Sequence, residues 1–203
     1  MDAPVVTTTT TRLPMPQRSR LSTLVVMAVT TAIIVAVAVL ANQPNTPPGS
    51  LTAVTLSGAA GGAAPAVGEP APDFATTTID GASVQLSAFK GQPVWLTFGA
   101  SWCQPCRAEN ADIKAIAEKY APSGLVVLAV FISEDAATVK DYADRVELGY
   151  LKVADPSTTI ASRYRILGIP SHFFIDADGV LQSMKIGTLD PAAMEEAVAG
   201  IRR

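Results

Sequence analysis

The sequence predicts an α/β domain with a mixed central sheet, carried behind one apolar membrane-spanning helix. Three features lead there. Beyond Val67, short apolar runs alternate with stretches of helical periodicity, the pattern of strands laid side by side with helices packed over them. The last two apolar runs flank the turn Asp176-Ala177-Asp178-Gly179, so the alternation closes on a hairpin and the sheet is mixed. Ahead of this, residues 21–41 (LSTLVVMAVTTAIIVAVAVLA) carry no charge, and about 20 apolar residues are what a helix needs to cross ~30 Å of hydrocarbon.

From the N-terminus, residues 1–20 hold Arg12, Arg18 and Arg20 against a single acid, Asp2, and no Lys or Arg follows until Lys90. That asymmetry puts residues 1–20 on the cytoplasmic side and the rest of the chain outside. A cleaved signal peptide is the competing expectation, with Val39-Leu40-Ala41 as the cleavage site, although the apolar run exceeds the roughly 7–15 residues of a signal core. Both export the remainder. A buried core helix fits less well, because the run has no polar face. Residues 42–66, rich in Pro, Gly, Ala, Ser and Thr and again uncharged, bury too little to fold and are expected to be a flexible tether.

Residues 67–203 are long enough for one core. Phe74 to Ile79, the turn Asp80-Gly81, and Ser83 to Leu86 read as a hairpin. Pro93 to Gly99 (PVWLTFG) is a short apolar run, expected to be a buried strand. Ala108, Ala111, Ile113, Ile116, Ala117 and Tyr120 then recur at helical spacing, giving a helix over 104–120. Leu125 to Ile132 (LVVLAVFI) is nearly all apolar, which suits a strand covered on both faces. Ala136 to Glu147 is expected to be a second helix. Thr158 to Tyr164 is a third, with Asp155 or Ser157 placed to cap it. Ser171 to Ile175 and Val180 to Ile186 are the closing strands, and Asp190-Pro191 opens a last helix.

The totals exclude several classes. From Val67 onward 12 Lys and Arg face 17 Asp and Glu, with no basic patch, so nucleic acid is not an expected partner. The only two cysteines, Cys103 and Cys106, are too few for a disulfide-stapled scaffold. With one histidine, His172, they also fall short of a structural zinc set, and no metal or cofactor is expected. A cysteine pair this close is redox-active or incidental. Its position favours the first. It sits in Ala100-Ser101-Trp102-Cys103-Gln104-Pro105-Cys106, after an apolar strand and at the start of a helix. A helix N-terminus offers unpaired N–H groups and a positive dipole end, both of which favour a thiolate. Cys103, at the helix edge, is the candidate nucleophile. Cys106, one turn on and expected to be less exposed, is the candidate resolving thiol. Pro105 fits the first turn, where its missing N–H costs nothing.

WCQPC after an apolar strand resembles the active site of the thioredoxin superfamily, and the resemblance spans most of residues 67–203. Gly68-Glu69-Pro70-Ala71-Pro72-Asp73-Phe74 and Val84-Gln85-Leu86-Ser87-Ala88-Phe89-Lys90-Gly91 are similar to segments of its TlpA-like, extracytoplasmic branch. The resemblance implies a thioredoxin-like fold with an N-terminal hairpin extension. It also implies a membrane-anchored protein-disulfide reductase acting on exported proteins, apocytochrome c among them, and fed by a membrane electron donor. Further roles come with it. Glu109, three residues after Cys106, resembles the acid that tunes the cysteines or relays a proton to the buried thiol; the plainer alternative is a solvated first-turn acid. The Met-Pro usual just beyond is replaced by Asn110-Ala111, so the proline kink of that helix is not expected. Thioredoxins of the cytosol carry a buried Asp six residues before the first cysteine; here that position is Thr97, leaving Glu109 as the nearby acid in sequence. Gly168-Ile169-Pro170 resembles the loop whose cis proline faces the cysteine pair. The Ile169 backbone would pair with an extended client segment. Trp102 would pack on the active-site surface, whereas Trp95 is expected in the core. His172, two residues after the proline, is expected to be an ordinary strand residue, with a titrating group near the active-site face as the alternative.

Three other functions use some of the same features. A disulfide-forming oxidant would need the same two sulfurs, and Gln104-Pro105 does not settle the direction. No inserted helical domain is visible between Leu125 and Pro170, which disfavours the large oxidase type. A peroxidase of related fold sets its cysteine in a Pro-x-x-x-Thr/Ser-x-x-Cys frame; Leu96 and Ala100 occupy the matching positions here. A copper-binding module would need a distal histidine, and His172 lies in the proline region instead.

Overall fold

The computed structural model describes residues 64–202, the pair Thr55–Leu56, and the helical positions 25, 27–31 and 33. The expected span 21–41 therefore lies mostly outside the described residues, as do residues 1–20 and most of the tether 42–66. Within the described part of the span, the hydroxyls of Thr30 and Thr31 donate back to the Met27 carbonyl at 3.0 and 2.8 Å. Among the described residues no helix is long and apolar enough to cross a membrane.

Two sheets organise the domain. The smaller is antiparallel, in the order β1-β2-β3: β1 (Thr55–Leu56), β2 (Phe74–Thr77) and β3 (Ser83–Gln85). Strand β1 falls inside the expected tether, where Thr55 pairs with Ala75 and Leu56 with Phe74, so two tether residues extend the hairpin. The larger sheet has the order β6-β5-β4-β7-β8. It is built from β4 (Val94–Gly99), β5 (Val126–Ile132), β6 (Leu151–Asp155), β7 (Ser171–Ile175) and β8 (Leu181–Ile186). Strands β4, β5 and β6 run parallel, while β7 and β8 are antiparallel, the mixed sheet expected from the closing hairpin.

Helices cover both faces, and the pleat decides who meets them. On β4, Trp95 and Thr97 point one way, and Val94, Leu96 and Phe98 the other. The first face packs under α1 (Gln104–Tyr120), α2 (Ala136–Arg145) and α4 (Pro191–Ile201). Trp95, Phe174, Ile113, Val139, Met194 and Val198 form the core of that layer. The second face packs under α3 (Thr159–Arg163) and the hairpin, around Phe74, Phe98, Ile160, Tyr164 and Phe173. Each of these fully buried side chains contributes roughly 1.5–3 kcal/mol over its exposed state.

The element ends follow local chemistry. Asp135 and Asp190 cap α2 and α4 by accepting the N–H of Thr138 and Ala193, each at 2.8 Å. Asp155, fully buried at the end of β6, accepts the N–H of Thr159 at 2.7 Å and of Ala161 at 2.8 Å, so it holds the start of α3. Helix α2 stops at Arg145, short of the expected Glu147. Glu147 takes a left-handed conformation with φ 53°, and Leu148 N–H returns to the Ala143 carbonyl at 3.0 Å, which closes the helix.

Candidate active site

Strand β4 ends at Gly99 in the middle of the large sheet and α1 starts at Gln104, so residues 100–103 turn over the sheet's C-terminal edge. Cys103 is the N-cap residue of α1, and its sulfur accepts the Cys106 N–H at 3.2 Å. A sulfur there sits among the free amides and positive end of a 17-residue helix, which favours the thiolate by about 0.3–1 kcal/mol, more when partly buried. Cys106 lies one turn further on, and the two sulfurs are joined in a disulfide.

The expected difference in exposure is absent: Cys103 is 5% exposed and Cys106 6%. Both cysteines pack in one small cluster with Ala100 and Ile169. Their surroundings do differ. The Cys103 sulfur lies 4.0 Å from the Ile169 carbonyl. Cys106 instead backs onto the sheet, where a Cβ added to Gly99 would come within 3.5 Å of its sulfur. That close approach is what the glycine permits. Cys106 also borders a small, partly open cavity with Thr97, Gly99, Glu109, Asn110 and Tyr150, of about 20 Å³, roomy enough for one water.

The Ile169–Pro170 bond is cis, as the resemblance implied. Because β7 runs antiparallel to β4, its first residue, Ser171, pairs with Phe98, and the proline loop arrives beside the cysteines. Gly187 N–H bonds the Pro170 carbonyl at 2.9 Å, and the Ser171 hydroxyl bonds the Gly168 carbonyl at 2.7 Å, fixing the loop on both sides. Trp102, next to Cys103 in the chain, is 61% exposed, while Trp95 is fully buried, as expected of a core residue.

Glu109 is no solvated first-turn acid: it is buried, 4% exposed. Its Oε2 accepts the Leu189 N–H at 3.2 Å. Burial pushes its carboxyl up to about 7; the Leu189 N–H opposes this and the nearby Asp112 adds to it. Its Oε1 faces His172 Nε2 at 3.3 Å, within reach but off the line of a formed hydrogen bond. His172 is fully buried, and burial drives it down to about 4, with a backbone contact to Gly187 opposing. At neutral pH it is therefore uncharged. The ordinary strand residue expected from the sequence is thus a buried titratable group set against the acid. Asn110, the first residue of the Asn110-Ala111 pair that replaces Met-Pro, ties α1 to its neighbours: its amide donates to the Tyr142 hydroxyl at 2.7 Å, and the Tyr150 hydroxyl donates to its carbonyl at 3.3 Å. Helix α1 runs uninterrupted through it.

Glu134 was not foreseen. Its carboxylate accepts the Ser101 N–H at 2.7 Å and bonds the Ser101 hydroxyl, so it clamps the turn that presents Trp102 and Cys103. The signal was topological only. Gly99 and Phe131 are register partners on parallel neighbours, which brings the loops after β4 and β5 together.

Comparison with known proteins agrees with this geometry. Residues 67–184 match the AhpC/TSA family. A thiol–disulfide oxidoreductase ResA from Geobacillus kaustophilus is 31% identical over 137 residues, 68% of this chain and 79% of the relative. ResA of Bacillus thuringiensis subsp. konkukian is 32% identical over 120 residues, 59% of this chain and 69% of its own length. Among solved structures, a thiol:disulfide interchange protein of the thioredoxin family from Chlorobium tepidum superposes with a TM-score of 0.62 at 28% identity, over 69% of this chain and all of that one. With its Cys-x-x-Cys pair at the head of α1 and a cis proline against it, the chain belongs to the AhpC/TSA family, in its thioredoxin-like branch of thiol–disulfide oxidoreductases of the ResA type.

Proposed function

We propose that this chain is a membrane-tethered, extracytoplasmic protein-disulfide reductase. The observation that carries the chemistry is the Cys103–Cys106 pair at the α1 N-terminus, with the buried Glu109 sharing a cavity with Cys106. In the reduced enzyme the Cys103 thiolate attacks one sulfur of a client disulfide. A mixed disulfide forms and the client's other sulfur leaves with the electron pair. Cys106 then gives its proton across the cavity to Glu109 and attacks Cys103. The Cys103–Cys106 bond forms, the bond from Cys103 to the client breaks, and the second client sulfur departs as a thiolate. Two electrons pass from enzyme to client. The enzyme is left oxidised and needs a thiol-transferring membrane donor.

Trp102, Ile169 and Pro170 form the docking edge, where the Ile169 backbone takes an extended client segment. Support for the exported location comes from the uncharged run 21–41 and the arginines before it. Support for the reductive direction comes from the resemblance to the TlpA-like branch, with apocytochrome c as the model client. A peroxidase, although it shares the family, lacks support from the residues at Leu96 and Ala100, which cannot supply its Pro and Thr/Ser.

The test uses the full chain and a peptide holding a Cys-x-x-Cys-His disulfide, the haem-attachment pattern. Reduced enzyme is expected to open the peptide disulfide in a stoichiometric single turnover. If the peptide stays closed while oxidised enzyme introduces disulfides into a reduced unfolded protein, the direction is the reverse.

A further inference from the structure

We propose that His172 is a positioning residue for the Cys106 step: its Nε2 lies 3.3 Å from Glu109 Oε1 and, once that carboxylate ionises, its N–H holds it on the cavity beside Cys106. This rests on the roles given above to Cys106 and Glu109 and adds a group that acts only through the acid.

The tautomer follows from the partners. The Trp95 indole N–H, which can only donate, points at His172 Nδ1 at 3.3 Å, and the Thr97 hydroxyl lies 3.1 Å from the same nitrogen. Nδ1 is therefore the acceptor, and the proton of the neutral ring is on Nε2. That nitrogen faces Glu109 Oε1 at 3.3 Å. Trp95 is held in turn by stacking on Phe174, ring centroids 5.2 Å apart. The ring is thus fixed from behind by β4 and touched by the Gly187 backbone, and Nε2 is left beside the acid without a well-formed bond. Thr97 and His172 are register partners on adjacent strands. At the position where cytosolic thioredoxins place an acid, this chain has a threonine that braces a histidine.

A buried donor left without a well-formed bond in the resting state is unusual. It fits a contact that tightens when charge develops on its partner. With Glu109 ionised, Oε1 would take the His172 N–H while Oε2 keeps that of Leu189. Two donors on one carboxylate oppose the burial that favours its protonated form. The titratable neighbours of Glu109 are Cys106 and Asp112 on its own helix, His172 on β7, and Tyr150 ahead of β6. Tyr142 of α2 reaches the site through Asn110. Lys185 of β8 is the register partner of His172 but is exposed, and among the described residues no cation acts on Glu109, so a neutral N–H donor is the available means of favouring the ionised acid.

The test mixes the reduced full chain with a chromogenic aromatic disulfide. Attack by Cys103 releases one coloured thiol, and closure by Cys106 releases the second. In His172→Leu the pH midpoint of the second release is expected to rise by about one unit, a tenfold slowing on its acid side, while the first release is unchanged. His172→Gln, whose amide still offers a donor, is expected to stay near the wild-type midpoint. In a Glu109→Gln background, His172→Leu is expected to add nothing. The proposal is overturned if His172→Leu leaves the second midpoint unmoved, shifts both releases together, or acts equally without Glu109. Should His172→Leu not fold, ring-nitrogen NMR of the wild type decides: an Nδ1–H ring or an imidazolium at neutral pH overturns the proposal. Absence of any second release from the wild type would instead overturn the roles of Cys103 and Cys106.

Discussion

Cys103→Ser is expected to lose disulfide exchange by a factor on the order of 10³ or more, the scale on which a covalent nucleophile is missed. Its sulfur caps the α1 N-terminus and lies beside the Ile169 carbonyl. Cys106→Ser is expected to behave differently. Its Cys103 still attacks, but nothing closes the ring, so mixed disulfides with clients accumulate after one encounter. Non-reducing electrophoresis of both variants after exposure to disulfide-bonded protein separates the two. Trapping by Cys103→Ser with continued turnover by Cys106→Ser would invert the order of attack. Because both cysteines are equally covered in the disulfide form, exposure cannot assign that order. What distinguishes them is that Cys106 lines the cavity with Glu109, whereas the Cys103 sulfur lies 4.0 Å from the Ile169 carbonyl.

The wild type, in its disulfide form, is expected to show little pH dependence from the Glu109–His172 couple between about pH 4.5 and 6.5, and each single variant is expected to reveal a slope. Glu109 is raised from 4.5 to about 7 by burial, so the native state keeps a proton that the unfolded chain has released. Its contribution to stability is full below pH 4.5 and is lost as the pH rises to about 7. His172 is lowered from 6.5 to about 4, so its contribution is present above pH 6.5 and is lost as the pH falls to about 4. Each term is on the order of 3 kcal/mol at these shifts, and their slopes have opposite sign where they overlap. Glu109→Gln leaves the histidine, and its stability relative to wild type is expected to rise with pH. His172→Leu leaves the acid, and its relative stability is expected to fall with pH. Urea unfolding of the three proteins across that range checks both, and parallel curves would show that the couple does not titrate as its burial requires.

Much of the frame was legible in the sequence because its signals are local. The apolar stripe and the Pro105 start gave α1 over 104–120, the bounds the structure has. Asp155 and Asp190 announced their helices by cap chemistry, and Gly168-Ile169-Pro170 announced the cis bond. Local signals failed where an end depended on backbone conformation: nothing in Val146-Glu147 marks the left-handed residue that stops α2. They also failed where two distant segments had to meet. His172 looked ordinary because its meaning depends on the pairing with Thr97, 75 residues earlier, and on the pleat that turns both toward α1. Glu134 was silent for the same reason, since its partner Ser101 is reached only through parallel strands. The chemistry of the cysteines was visible in five residues, whereas the groups that govern their protons were visible only in three dimensions.

The most direct test of the account is the reduction potential of the Cys103–Cys106 couple in the full chain, measured by equilibration with thiol–disulfide buffers. A reductant of exported proteins requires a value near that of thioredoxin, ~−270 mV, or below. A value near ~−120 mV, where strong oxidants lie, would contradict it: the residues would keep their places, but electrons would run from client to enzyme.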